Sequence, residues 1–312
     1  MIRIFAFLMG LTFSGILAIS LFASAADYFT NKPEETASHK FHLHPKEVSF
    51  ASDGPFGKFD TQQLQRGFQV YGEVCASCHG LSLASFRELE HIGYTEAEVK
   101  KIASDWKIPV PTINPDTGEV TTRKALPSDT FPEPFANPQA ARASNNNAFP
   151  PDLTLITKAR EGGAPYIYSL LTGYKNPKTY RNAHGEALPA DAQPPQNLHF
   201  NPYFANLNLA VPPPLTATGQ VTYAPGNPPA TVDQMARDVS AFLVWTAEPE
   251  LERRHGSGLA ITIFLLFATV LGYLAYRQIW AEAKRKVRVT GPLEPKNQAK
   301  SRRAKRDAGV AG

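Results

Sequence analysis

The chain has 312 residues, enough for one large domain or two smaller ones, and its 27 prolines predict a loop-rich fold with few regular elements. Its formal net charge of +4 is unevenly spread, because 11 of the 32 lysines and arginines lie at or after residue 277. When all residues from 277 onward and Arg3 are left out, 20 basic residues stand against 25 acidic ones. This balance argues against nucleic-acid binding and favours a cationic soluble partner.

The first predicted element is an export signal over residues 1–26. Arg3 precedes an apolar run, and Ala23-Ser24-Ala25 supplies the small residues typical of a cleavage site. The alternative is an uncleaved anchor helix. Under either interpretation the following part of the chain is exported, and we expect it to form one domain over residues 27–250.

Inside this domain, segments with helical apolar spacing alternate with segments rich in proline, asparagine and serine. Leu64, Phe68 and Tyr71 lie on one face of a helix, and Thr95 and Glu98 have capping-box spacing. The predicted helices cover 61–74, 95–104, 163–174 and 231–249, and the predicted loops cover 109–151 and 175–230.

A second apolar segment, residues 258–280, is predicted to be a transmembrane helix. It carries no charge before Arg277, and its 23 residues span about 34 Å as a helix, enough to cross a bilayer. Tyr273, Tyr276 and Trp280 suit the aromatic belt at the membrane interface.

The segments on either side of this span complete the predicted topology. Residues 251–257 are expected to form a short charged hinge. Residues 281–312 form a basic tail, which predicts a cytoplasmic C-terminus by the positive-inside rule. The outer domain would then lie in the periplasm of a bacterial cell, held by a single pass through the inner membrane.

The only two cysteines lie in the stretch YGEVCASCHGLSLASF, residues 71–86. Cys75 and Cys78 are followed at once by His79. This spacing lets two thiols add to the two vinyl groups of one porphyrin while the adjacent imidazole binds the iron. The sequence therefore favours one covalent haem c, with His79 as the proximal iron ligand.

Other uses of the cysteine pair fit less well. A structural disulfide would close a loop too small to constrain the unfolded chain. A thiol–disulfide oxidoreductase would place the pair at the start of a helix that follows a strand, whereas a predicted helix precedes Cys75. A zinc site would need further cysteines or histidines at ligand spacing.

The helix before the cysteines resembles the N-terminal helix of the small cytochromes c. Gly67 lies eight residues before Cys75, and Tyr71 lies four residues before it. The resemblance implies that this helix crosses the last helix of the domain closely. Phe242 and Trp245 are the residues that the last helix offers for the crossing.

Longer stretches resemble one family, cytochrome c1, the haem subunit of the cytochrome bc1 complex. They are ARASNNNAFPPDLTLITKAREGGAPYIYSLLTGY (141–174), FNPYFANL (200–207) and TVDQMARDVSAFLVWTAEPE (231–250), followed by the C-terminal anchor. The resemblance covers most of the chain from about residue 45 to 280. It implies a mainly α fold, a cytochrome c-like haem domain with long Pro-rich loops plus one C-terminal transmembrane helix.

The resemblance also implies a function. The subunit would pass single electrons from a Rieske iron-sulfur protein to a soluble or membrane-bound cytochrome c. It would do so beside a cytochrome b subunit, in a dimeric, proton-translocating quinol–cytochrome c reductase, and would be no enzyme on its own. The alternative is an anchored cytochrome c subunit of a periplasmic dehydrogenase or terminal oxidase.

Several side chains are implied to contact the haem. Arg142 would lie against a propionate, since a guanidinium pairs strongly with a carboxylate. The other implied contacts are Asn146, Pro150, Pro151, Leu153 and Tyr166.

One position departs from the family pattern. The resemblance implies a methionine as the sixth iron ligand just before a proline run, and this chain has Val211 there. Met235 is interpreted as a packing residue, whereas His199 and His184 lie in the preceding loops and could swing in as the ligand. Otherwise the sixth position is open or holds a weak ligand such as water. We expect a haem that is more reducing, or more accessible to added ligands, than is usual for the family.

Overall fold

The computed structural model describes residues 2–31, 35–290, 296–300 and 303. The chain divides into two compact units, residues 1–50 with 59–249 and residues 51–58 with 250–312. The first unit contains every implied haem contact, and the second contains the C-terminal apolar helix.

The regular structure is mainly helical, which confirms the predicted fold class. The α-helices are α1 (Ile2–Thr30), α2 (Ala37–Phe41), α3 (Thr61–Glu73), α4 (Glu96–Asp105), α5 (Pro138–Ser144), α6 (Ile156–Ala159), α7 (Gly163–Leu171), α8 (Val232–Ala247) and α9 (Leu251–Thr290). Short 3₁₀ turns cover Cys75–Ser77, Phe86–Ile92 and Ala190–Ala192. The strands are β1 (Leu81–Ser85), β2 (Val110–Ile113), β3 (Val120–Arg123), β4 (Thr130–Phe131), β5 (His199–Phe200) and β6 (Asn208–Leu209), paired antiparallel as β1–β4, β2–β3 and β5–β6.

The predicted helices are all present, and local capping explains where they begin. The Asp60 carboxylate accepts from the first backbone N–H groups of α3, and Thr231 does the same for α8. Thr95 and Glu98 form the predicted capping box at the start of α4. The third predicted helix is α7, which ends at Leu171, two residues before Gly173.

The predicted loop over 109–151 is wrong in three places, the shortest of which is β4, paired with β1. Residues 110–123 form the hairpin β2–β3, in which Ile113 pairs with Val120. Pro111 concealed it, since proline is disfavoured in a central strand but tolerated in a two-stranded ribbon. Asn137 caps α5, whose first residue is Pro138, the helical position at which proline costs nothing. Residues 175–230 are mostly irregular, as expected, with only the short pair β5–β6 and a 3₁₀ turn.

The charged segment 251–257, predicted to be a hinge, is helical. It forms the first two turns of α9, which runs without a break from Leu251 to Thr290. At the start of α9, Arg253 pairs with Glu250 (2.6 Å), the residue before the helix, and the backbone N–H of Arg254 donates to the Glu250 carbonyl (2.9 Å). These local contacts continue the helix through a stretch whose composition indicated a break.

Among the residues that the structure describes, two helices are long and apolar enough to cross a membrane. They are Ile2–Thr30 and Leu251–Lys284, each with a mean hydropathy of 2.2. The first coincides with the predicted export signal. Trp280 lies near Tyr276, with ring centres 6.4 Å apart and the planes tilted, as in an interfacial aromatic pair. Of the predicted basic tail, residues 291–295, 301–302 and 304–312 lie outside the described residues.

The core of the first unit is built where α3 crosses α8. A Cβ added to Gly67 would lie 2.1 Å from the Asp238 carbonyl oxygen and 2.6 Å from the Phe242 Cβ. The helix backbones therefore touch at this glycine. Phe68 and Tyr71 pack against the Phe242 ring, with centres 5.7 and 5.8 Å apart. The close crossing expected from Gly67 and the last helix is thus present.

A buried ion pair lies beside this crossing. Arg66 donates from Nε and Nη2 to the two carboxylate oxygens of Asp238 (2.9 and 3.2 Å), and the Asp238 side chain has no exposed surface. Gln63, Gln234 and Tyr223 also donate to the Asp238 carboxylate. With its oxygens fully hydrogen-bonded, the buried charge is tolerated, and it fixes which turn of α8 meets α3.

We predict that Gly67→Ala destabilises the protein by about 3 kcal/mol, because the methyl group overlaps the backbone of α8 and must force the helices apart. Gly72→Ala, on the same helix, is the matched control. A Cβ there lies 3.5 Å from the Trp106 ring, an ordinary contact, so stability should stay equal or rise slightly. Denaturant unfolding of the full chain in detergent measures both. Equal midpoints for the two variants would contradict the close crossing.

Candidate functional site

The end of α3 delivers the two cysteines onto a single tight turn. The backbone N–H groups of Cys78 and His79 both donate to the Cys75 carbonyl (3.0 Å each), which forms the 3₁₀ turn Cys75–Ser77. Both thiols are free rather than joined in a disulfide. The pair follows a helix and does not open one, as the haem interpretation expects and the thiol oxidoreductase interpretation does not.

The His79 ring is oriented by the backbone of another loop. Its Nδ1 lies 2.7 Å from the Pro151 carbonyl oxygen, which can only accept a hydrogen bond. Nδ1 therefore carries the proton, and Nε2 keeps a free lone pair. Burial lowers the pKa of His79, although the Pro151 bond and the Asp152 charge oppose that effect. This is the neutral tautomer, with an outer hydrogen bond, that a metal-ligating histidine requires.

Tyr71 connects the core to the turn that carries His79. Its hydroxyl donates to the His79 carbonyl (2.9 Å), and only 1% of the residue is exposed. Burial is the main reason that the pKa of Tyr71 is raised, so the hydroxyl stays protonated and remains a donor. The same ring packs on Phe242, so α8 is coupled through Tyr71 to the backbone of His79.

A second wall of the site is the segment that carries Pro150, Pro151 and Leu153. The Leu153 N–H donates to the Gly80 carbonyl (3.0 Å), and the Ser82 N–H donates to the Asp152 carboxylate (2.7 Å). These bonds hold the segment along residues 79–82. Pro151 and Leu153 therefore lie next to the turn that carries His79.

The far end of that segment is attached to α8. The Thr246 hydroxyl donates to the Thr154 carbonyl (3.2 Å), and the Thr157 hydroxyl donates to the Leu243 carbonyl (3.2 Å). Lys158 pairs with Glu248 (2.6 Å). The loop that orients His79 is thus held by the helix that α3 crosses.

A third group lies around the loop after α5. Asn146 has a φ of 50°, in the left-handed region that asparagine tolerates, and its amide donates to the Asn197 and Ala210 carbonyls (3.3 and 3.4 Å). Arg142 donates to the Asn147 carbonyl (2.9 Å). The loop is therefore tied to the chain immediately before Val211.

Tyr174 interacts with two residues of interest, Val211 and Tyr166. The Tyr174 hydroxyl donates to the Val211 carbonyl (3.1 Å), and burial, then the neighbouring Tyr166, raises the pKa of Tyr174. Burial also raises the pKa of Tyr166, and the Arg160 guanidinium opposes that rise. Arg160 is thus a second cation near the implied haem contacts. Sequence reasoning missed it, since nothing in its local pattern separates it from a surface arginine.

The residues present fit a covalent haem. Burial and the neighbouring Cys78 raise the pKa of Cys75 to about 12, so its sulfur is held as a neutral group in apolar surroundings. Thioether sulfur is neutral too, and suits such surroundings better than a thiolate. Within the described residues, no group of three histidine, cysteine, aspartate or glutamate side chains is arranged to hold a metal ion alone. A mainly α domain with this donor set has the fold and the site of a c-type cytochrome.

The chain belongs to the cytochrome c1 family, whose model matches residues 50–283. It is 40% identical over 247 residues to the cytochrome c1 of Rhodospirillum rubrum, covering 78% of this chain and 89% of that relative. It is also 41% identical over 278 residues to "Cytochrome c1 1, heme protein, mitochondrial" of Arabidopsis thaliana, covering 89% of this chain and 82% of the relative. The family implies haem c as the cofactor, as the Cys-x-x-Cys-His sequence predicted.

A longer relative shows a different arrangement. The "Cytochrome b/c1" of Bradyrhizobium diazoefficiens is 41% identical over 280 residues, which are 86% of this chain. The chain spans only 40% of the length of that relative.

We predict that Tyr71→Phe lowers stability by about 1 kcal/mol, because it removes one hydrogen bond to the His79 carbonyl and keeps the buried ring. Tyr71→Ala should cost about 4 kcal/mol, since it also removes the packing against Phe242. Comparing the two variants separates the contribution of the hydroxyl to stability from that of the ring. Unfolding midpoints give the energies, and the haem reduction potential should shift in Tyr71→Phe if the bond positions His79. An unchanged potential would limit Tyr71 to a packing role.

Proposed function

We propose that this chain is a membrane-anchored c-type cytochrome that takes single electrons from a Rieske iron-sulfur protein and gives them to cytochrome c. It would work within a proton-translocating quinol–cytochrome c reductase. The observation that carries the proposal is the hydrogen bond from His79 Nδ1 to the Pro151 carbonyl (2.7 Å), beside two free thiols. It leaves Nε2 available to iron. When bound, the haem supplies reversible one-electron redox chemistry, and the protein positions and tunes it.

The residues of the site divide this work. Cys75 and Cys78 would hold the porphyrin through two thioethers, and His79 would be the proximal ligand. Pro151 fixes the tautomer of His79, and Tyr71 fixes its backbone. The positions of Pro150 and Leu153, on the same hydrogen-bonded segment, support their proposed contact with the haem edge.

The remaining proposed haem contacts are Asn146, Tyr166 and Arg142. Asn146 and Tyr166 lie around the segment that leads to Val211. Arg142 is exposed and bonded to its own loop, and we propose that it pairs with a propionate from there. Arg160, whose charge lowers the pKa of Tyr166 against the effect of burial, is a second candidate for such pairing.

The proposed topology follows from the two apolar helices and the basic tail. Residues 1–26 would be removed as a signal peptide, residues 27–250 would form the periplasmic domain, and residues 258–280 would span the inner membrane. Residues 281–312 would be cytoplasmic. The partners would be a cytochrome b subunit in the bilayer, the Rieske subunit and the acceptor cytochrome c, in a dimeric complex. If b-type haem and a Rieske centre do not co-purify with this chain, the alternative function, a cytochrome c subunit of a periplasmic dehydrogenase or terminal oxidase, replaces the proposed one.

Replacing both Cys75 and Cys78 with alanine should abolish covalent haem, because no thioether can then form. A pyridine haemochrome spectrum and the intact mass of the purified polypeptide measure the attached haem. Cys75→Ala alone should leave one thioether and shift the haemochrome band. Ser77→Ala, between the two cysteines, is the control and should retain full haem. A wild-type polypeptide without added haem mass would refute the proposed function.

Electron transfer to a cationic cytochrome c should slow as salt increases, because residues 27–257 carry 25 acidic against 20 basic residues. Raising ionic strength from about 0.01 M to about 0.1 M shortens the screening length from about 30 Å to about 10 Å and weakens steering. Stopped-flow oxidation of the reduced, detergent-solubilised protein measures the rate. Rates independent of salt would exclude electrostatic steering by this surface.

A further inference from the structure

This chain lacks the methionine that usually supplies the sixth ligand of the iron. Cytochromes c pair the proximal histidine with a methionine thioether, which raises the reduction potential. The whole sequence contains three methionines, Met1, Met9 and Met235. Met1 and Met9 belong to the predicted export signal. Met235 is therefore the only sulfur of the predicted mature chain that could serve besides the two cysteines.

The helix crossing places Met235 near the start of α3, whereas Cys75 and Cys78 follow the end of that helix. Gln63, in the first turn of α3, and Gln234, in the first turn of α8, both donate to Oδ1 of Asp238 (3.2 and 2.8 Å). The first turns of the two helices therefore lie together. From Gln63 to the end of α3 at Glu73 the helix rises about 15 Å. Met235 is fully buried near that first turn, whereas the cysteines follow the last.

The segment around Val211 is held in place but offers no side-chain ligand. Tyr174 donates to the Val211 carbonyl, and Asn146 donates to the Ala210 carbonyl. Pro212, Pro213 and Pro214 follow directly and restrict the backbone further. An aliphatic side chain without a lone pair cannot bind iron, and these restraints oppose a rearrangement that would bring a donor from elsewhere in this segment.

The nearby histidines are restrained as well. His199 lies in β5, where it pairs with Leu209, and it borders a cavity of about 320 Å³ together with Tyr174 and Pro213. His184 is exposed on a turn in which its N–H donates to the Asn182 side chain (3.1 Å). His199 is thus the internal competitor that an experiment must test.

We propose that the iron position opposite His79 receives no side chain of this protein, and that it binds small uncharged π-acceptor molecules when the iron is reduced. The inference rests on the proposed function, because it requires haem on Cys75 and Cys78. Val211 would present an aliphatic group to the incoming molecule. An apolar wall favours a neutral diatomic ligand over a charged one, since burying an unpaired charge is costly.

The test uses the full-length holoprotein in detergent, reduced with dithionite and titrated with carbon monoxide. The optical spectrum should change with saturable binding in the wild type. In Val211→Met, an internal thioether competes for the position, so carbon monoxide affinity should fall by at least about tenfold. This variant should also gain a methionine–iron charge-transfer band and a higher reduction potential. Val120→Met, on the exposed strand β3, adds the same side chain elsewhere and should behave as the wild type.

Two results would overturn the inference. A wild-type protein that carries full haem by the haemochrome assay but binds no carbon monoxide has an internal ligand, and the proposed function survives. If His199→Ala then binds carbon monoxide, His199 is that ligand. Saturable binding by both the wild type and His199→Ala supports an open position. A wild type without haem refutes the proposed function itself, which separates the two failures.

Discussion

The contact between the backbones of α3 and α8 at Gly67 is the constraint on which the rest of the first unit depends. Because no Cβ fits there, the two helices lie closer together than side chains would otherwise allow. The ion pair between Arg66 and Asp238 selects the turn of α8 that meets α3. The direction of α3 beyond the crossing, and hence the position of Cys75, follows from these contacts. A displacement of this crossing would move the haem attachment site.

The second constraint is that α8 also anchors the loop that orients His79. Thr246 and Leu243 contact residues 154 and 157, and the preceding residues bond to Gly80 and Ser82. One helix thus supports both the thiol turn and the carbonyl that fixes the imidazole tautomer. Because these bonds join threonine and aspartate side chains to backbone groups, the site is sensitive to changes at those side chains and to anything that shifts α8.

The prediction of secondary structure succeeded where local signals were sufficient. Capping residues such as Asp60 and Thr231, together with helical apolar spacing, set the starts of α3 and α8. It failed where pairing with another segment overrode composition. Val110–Ile113 becomes a strand only because Val120–Arg123 pairs with it, and both strands are short. The charged residues 251–257 indicated a hinge, but local contacts extend α9 through them.

The sequence by itself determined the chemistry of attachment and the apolar segments. Cys-x-x-Cys-His is a local pattern, and the length of an apolar run is readable without a fold. Only the tertiary structure decided that Nδ1 of His79 is the protonated nitrogen and that Met235 lies near the start of α3 rather than the end that carries the cysteines. These facts join residues that are far apart in the chain. They depend on helix crossings and loop hydrogen bonds, which no local pattern encodes.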